Sequence, residues 1–186
     1  MATSGQYFRM HLLNELVIVK EITRRMFKRN SRILSVAAGI LLLLPAFAGD
    51  SIPHLNRQVM EYVESVIGKQ VDRGECWDLA YQALTRIDAR WDGKYKYGRE
   101  VNPKRDEIFP GDLIQFKNVK VRYREGNTIY TETMDHHTAI VYRVIEKGVW
   151  ELAHQNTSFS GRTVGISRLD INTVVSGRMW FYRPQR

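Results

Sequence analysis

Residues 49–186 read as an α+β domain in which helices pack on an antiparallel sheet. Two observations of pattern predict this. Segments with helical spacing of apolar residues come first, and from Leu113 onward the sequence turns to short runs rich in Val, Ile, Tyr and Thr. A third observation is size: 186 residues, 44% of them hydrophobic, suffice for one ordinary core and are too few for two large ones.

The elements follow in order. Residues 53–67 place Leu55, Val59, Tyr62, Val63 and Val66 at helical spacing, and Gly68 stops the run. After the loop 69–75, residues 76–87 set Leu79, Ala80, Ala83, Leu84 and Ile87 on one face of a second helix, with Cys76 in its first turn. Residues 92–110, rich in Gly, Pro and charge, predict a long surface loop. Strands are expected over 113–116, 119–124, 129–134, 137–145, 149–154, 163–166 and 179–182. Gly126-Asn127 is a hairpin turn between the second and third of these, inside a strongly charged hairpin 119–134. A second hairpin turns at Glu146-Lys147-Gly148. There are no internal repeats and no low-complexity segments.

The net charge of +8 is unevenly spread: residues 1–48 hold seven Lys and Arg against two acidic residues, and the rest is only mildly basic. A nucleic-acid surface is therefore not expected. Arg24, Arg25, Lys28, Arg29 and Arg32 lead into the apolar run 33–48, which ends in the small-x-small triplet Ala46-Phe47-Ala48 after Pro45. This is the order of a secretory signal. It predicts a targeting segment 1–48 and an exported domain 49–186, periplasmic, secreted or in the cell envelope. The alternative is that residues 33–48 stay as a membrane anchor, since the run sits at the short limit for a span. Translation starting at Met26 would give a shorter, more ordinary leader. One cysteine excludes an internal disulfide and a Cys-rich zinc module.

The chemistry-bearing residues are Cys76, His137 and His154. Cys76 opens a helix behind a Gly-containing polar loop, where free backbone N–H groups and the helix dipole favour a thiolate. On the strand DHHTAIVYRV, His137, Ala139 and Val141 share one face, and His136, Thr138 and Ile140 the other. Small Ala139 leaves room for a helix on the His137 side, which suits His137 as general base. On WELAHQN, His154 and Asn156 share a face with Trp150 and Leu152, and the hairpin brings them beside His137. Either His154 or Asn156 can supply the third polar group that orients the base. The rival use of Cys76, His136, His137 and His154 as zinc ligands is disfavoured, because adjacent strand histidines point to opposite faces.

GECWDLA (74–80), PGDLIQF (110–116), HTAIV (137–141) and HQN (154–156), in that order, resemble the papain-like cysteine hydrolases of the NlpC and CHAP type. The resemblance spans about residues 55–183. It implies a papain-like α+β core, with the nucleophile helix packed on an antiparallel sheet. It also implies hydrolysis of amide bonds, typically in peptidoglycan peptides, through a thioester and without a metal or other cofactor. Carried onto this chain, Cys76 matches the nucleophile, His137 the base and His154 the third member, with Asn156 as auxiliary. Gln70, six residues before Cys76, stands at the spacing of a papain-like oxyanion-hole Gln. The expected partner is a peptide or peptidoglycan substrate; a non-catalytic exported binding module is the competing reading.

Overall fold

Among the described residues two α-helices precede six strands, where the sequence led us to expect seven. The structure is a computed structural model that describes residues 52–186. The basic and apolar stretch 1–48, with its signal and anchor readings, lies outside the described residues. No helix among the described residues is long and apolar enough to cross a membrane.

Helix α1 (His54–Val66) begins behind Pro53 and buries Val59, Met60 and Val63 along one stripe. Helix α2 (Cys76–Arg86) starts with a reciprocal capping box. The Glu75 side chain accepts from the backbone at Asp78, and Asp78 Oδ2 accepts the Glu75 amide at 3.1 Å. The strands are β1 (Arg99–Val101), β2 (Leu113–Glu125), β3 (Thr128–Glu146), β4 (Val149–His154), β5 (Gly165–Asp170) and β6 (Val174–Arg183). They form a single antiparallel sheet in the order β1-β6-β2-β3-β4-β5.

Several expected boundaries shift. The runs 113–116 and 119–124 are one strand, because Asn118 adopts φ 51° and absorbs the irregularity as a bulge. Gly177 on β6 lies against that bulge, where an added Cβ would collide with the Asn118 carbonyl. Likewise 129–134 and 137–145 fuse into β3, since Met134 and His136 stay paired with Val119 and Lys117 of β2 on either side of Asp135. The strand expected at 163–166 instead runs from Gly165 to Asp170, and that at 179–182 begins at Val174. The loop 92–110 contributes the short edge strand β1.

The sheet divides two cores. On one face Val59, Val63, Leu79, Ala83 and Leu84 of the helices pack with Leu113, Ile140, Ala153 and Tyr182. On the other, Ile114, Phe116, Ala139, Val141, Leu152 and Phe181 pack together with no α-helix of the described residues among them. This corrects one expectation: the helices cover the Ile140 face, not the face of Ala139. Ala139 is small because it fills a close-packed second core, not because it admits a helix.

Candidate active site

Cys76 sits where α2 meets the middle of the sheet, and the two histidines project from the sheet's other face. Helix α2 packs mainly on β3. Its start is fixed from two sides. Asp78, 2% exposed, accepts the Arg73 and Glu75 amides and pairs with the Arg73 guanidinium at 2.7 Å. Gln155, fully buried just past the end of β4, does more: its Oε1 accepts the Val71 amide at 3.1 Å. Its Nε2 donates to the carbonyls of Val71 at 3.0 Å and Glu75 at 2.8 Å. One amide thus ties the loop before Cys76 to the strand that carries His154. Sequence reasoning passed over Gln155, because a single buried amide leaves no periodic signal.

Cys76 is half-buried at the first position of α2, and its thiol lies against the backbone N–H of Thr138, the residue after His137. The expected ionised thiol is not what the surroundings favour. Burial pushes the Cys76 pKa up, and the Glu75 carboxylate pushes the same way, while the Thr138 and Trp77 amides pull it down. The capping box explains part of this: the acidic caps that satisfy the helix N-terminus also place negative charge beside the thiol.

The histidines meet. His137 Nε2 and His154 Nδ1 are 2.8 Å apart, with ring centroids 5.0 Å apart in an edge-on arrangement. His154 Nε2 in turn lies 2.8 Å from Ser167 Oγ on β5. Only 8% of His137 and 6% of His154 are exposed. Burial holds the His137 pKa down to about 4, and burial with the neighbouring His137 lowers that of His154 further. Both rings are therefore neutral near pH 7, each with one nitrogen donating and one accepting. His137 pairs across the sheet with Phe116, so its ring starts on the face away from the helices. Its Nε2 is taken by His154, so both rings lie on the sheet face opposite the one that α2 covers, while Cys76 opens α2 on the other face. No hydrogen bond joins Cys76 to either histidine among the described residues.

The remaining expected residues are engaged elsewhere. Gln70 is exposed, and its Nε2 donates to the Asp72 carbonyl at 3.0 Å. Asn156 turns out of the strand at φ 60° and donates to Glu75 Oε2 at 2.7 Å, so it braces the loop before Cys76 and does not bond the imidazoles. His136 lies against Tyr95, with centroids 4.3 Å apart. Among the described residues, no group of three or more His, Cys, Asp or Glu is arranged to hold a metal ion. Ser167 was not anticipated, because the charged run Arg168-Leu169-Asp170 hid the edge strand that carries it.

A family model for the AIM3/BBC1 cysteine proteinase-fold domain matches residues 53–186. The chain belongs to that family. Its described residues are therefore a cysteine-proteinase-fold domain of α+β architecture, papain-like in its broad plan. Two solved structures of Ly7917 are also similar, one of them with the hydrolyzing product of MDP. They share 14% and 15% identity with this chain at TM-scores of 0.38 and 0.41, over 68% and 69% of its length. The match spans 62% of each of those chains. No curated protein matches the chain in sequence.

Proposed function

We propose that this domain is a thiol hydrolase of the NlpC/CHAP type that cleaves amide bonds in peptides. Cys76 is the nucleophile, His137 the base and His154 the group that orients it. The observation that carries the reading is the 2.8 Å contact between His137 Nε2 and His154 Nδ1, made while the thiol lies beside the adjoining Thr138 amide. In the tautomer whose Nε2–H donates to His154, Nδ1 is the nitrogen left to accept the thiol proton, which is the division of labour a Cys–His pair with a third member needs. With both partners neutral at rest, the proton moves during attack. His137 Nδ1 takes it as Cys76 Sγ bonds the carbonyl carbon, the amine leaves with that proton, and water releases the acyl group. The Cys76 backbone N–H faces the developing oxyanion at the helix start, and Gln70 would join it only by leaving the Asp72 carbonyl.

Peptidoglycan stem peptides are the first substrate to try, on the NlpC/CHAP resemblance, and export by residues 1–48 is the matching proposal for location. The full chain is incubated with purified peptidoglycan and, separately, with a mixed peptide library, and released fragments are read by mass spectrometry. Wild-type protein should release fragments, and Cys76→Ala should lower the rate by about 10³-fold or more. Equal cleavage by both proteins would remove Cys76 from the reaction.

One observation favours a second reading, a non-catalytic peptide-binding module. Thiol and imidazole are both biased toward neutrality and are not hydrogen-bonded to each other. A module of that kind would bind peptides equally well with Ala at position 76 and cleave none.

A further inference from the structure

The proposed thiol chemistry uses one end of the imidazole pair. The other end carries a hydroxyl. Ser167 Oγ is 2.8 Å from His154 Nε2, and His154 Nδ1 is 2.8 Å from His137 Nε2. This side of the pair opens on the sheet face away from α1 and α2, into a cavity of about 510 Å³. His154 and Ser167 line it together with the apolar Phe116 and Leu152 and the charged Glu132 and Arg168. His154 lies against Phe159, with ring centroids 5.4 Å apart and the planes tilted by 51°.

We infer that Ser167, His154 and His137 form a second nucleophilic triad that faces this cavity and acts on esters. The elements are those of hydroxyl activation: a partly accessible alcohol on a ring nitrogen, and a further group on the other nitrogen of the same ring.

The step balances as follows. Ser167 Oγ bonds the ester carbonyl carbon while its proton passes to His154 Nε2, and the His154 Nδ1–H is held by the His137 Nε2 lone pair. Collapse of the tetrahedral species breaks the bond between carbonyl carbon and alkoxy oxygen, and the proton on His154 leaves with the alcohol. Water then adds to the acyl carbon as its proton passes to His154 Nε2, the bond from that carbon to Ser167 Oγ breaks, and His154 returns the proton to Oγ. This direction needs the proton of His137 on Nδ1, whereas the thiol reaction needs that nitrogen unprotonated. The two chemistries therefore require opposite tautomers of one imidazole pair, and they do not run at the same instant.

The test uses the full chain with a fluorophosphonate probe, the adduct being mapped by peptide mass spectrometry, and p-nitrophenyl butyrate as substrate. An adduct on Ser167 is expected, with ester hydrolysis about 10²-fold lower in Ser167→Ala. Absence of an adduct on Ser167 in the wild-type protein, or unchanged ester hydrolysis in Ser167→Ala, overturns the inference. The mapping needs no variant, so it decides even where the substitution disturbs folding. Either failure leaves the Cys76 reading standing, because peptide cleavage is scored separately.

Discussion

At the scale of single residues, the decisive quantities are proton affinities. A cysteine at a helix N-terminus is ordinarily a candidate thiolate, yet here burial and the Glu75 carboxylate raise the Cys76 pKa. Alkylation by iodoacetamide should therefore be slower than for free cysteine at pH 6 and climb through a midpoint above the usual thiol range. A fast plateau already present at pH 5–6 would mean a preformed ion pair and would contradict the neutral resting state. The histidines carry the opposite sign. In the folded chain the His137 pKa is depressed to about 4, against about 6.5 when unfolded, so the native state binds fewer protons between those values. Its contribution is present above pH 6.5 and lost as pH falls toward 4, on the order of 3 kcal/mol at about 1.4 kcal/mol per unit. Thermal melts from pH 7.5 to 4.5 should show a falling Tm in the wild type and a shallower fall in His137→Gln. Identical slopes would show that His137 does not titrate with unfolding.

At the scale of elements, what matters is how separate segments are held in register. Gln155 bridges the end of β4 to the loop that precedes α2 with three buried or part-buried hydrogen bonds. Truncating it leaves the Val71 amide and two carbonyls without their partner, a loss of about 3 kcal/mol. Gln155→Ala should therefore lower the unfolding free energy by that amount, read as a lower denaturant midpoint at unchanged m-value, and should also change the alkylation rate of Cys76. A stability change below about 1 kcal/mol would show that other contacts hold the loop. The two helices were legible from sequence nearly to the residue, because apolar spacing and the Gly68 stop act locally. The strands were legible as strands but not in their lengths. Asn118 at positive φ looks like a break and is a bulge, and the charged residues of β5 look like a loop and are an edge strand. Ser167 was hidden for that reason.

At the scale of the whole molecule, the sheet order brings together residues far apart in the chain. Asp112 shows how tightly the parts are tied. It is fully buried and accepts from Asn56 of α1, from the Phe109 amide and from Arg183 at the end of β6. The same closure puts His137 and His154, 17 positions apart, in hydrogen-bond contact across the β3–β4 hairpin. That pairing could be anticipated, since period two and a short turn determine it. Which face the helices would cover could not, because both faces of β3 carry apolar residues and either could receive them. The account rests on Cys76 and the imidazole pair acting as one unit. The most direct test compares the alkylation rate of Cys76 at pH 7.5 in the wild type and in His137→Ala, with far-ultraviolet circular dichroism confirming that both are folded. A fall of about 10-fold or more on losing the imidazole is the expected result; equal rates in two folded proteins would contradict it.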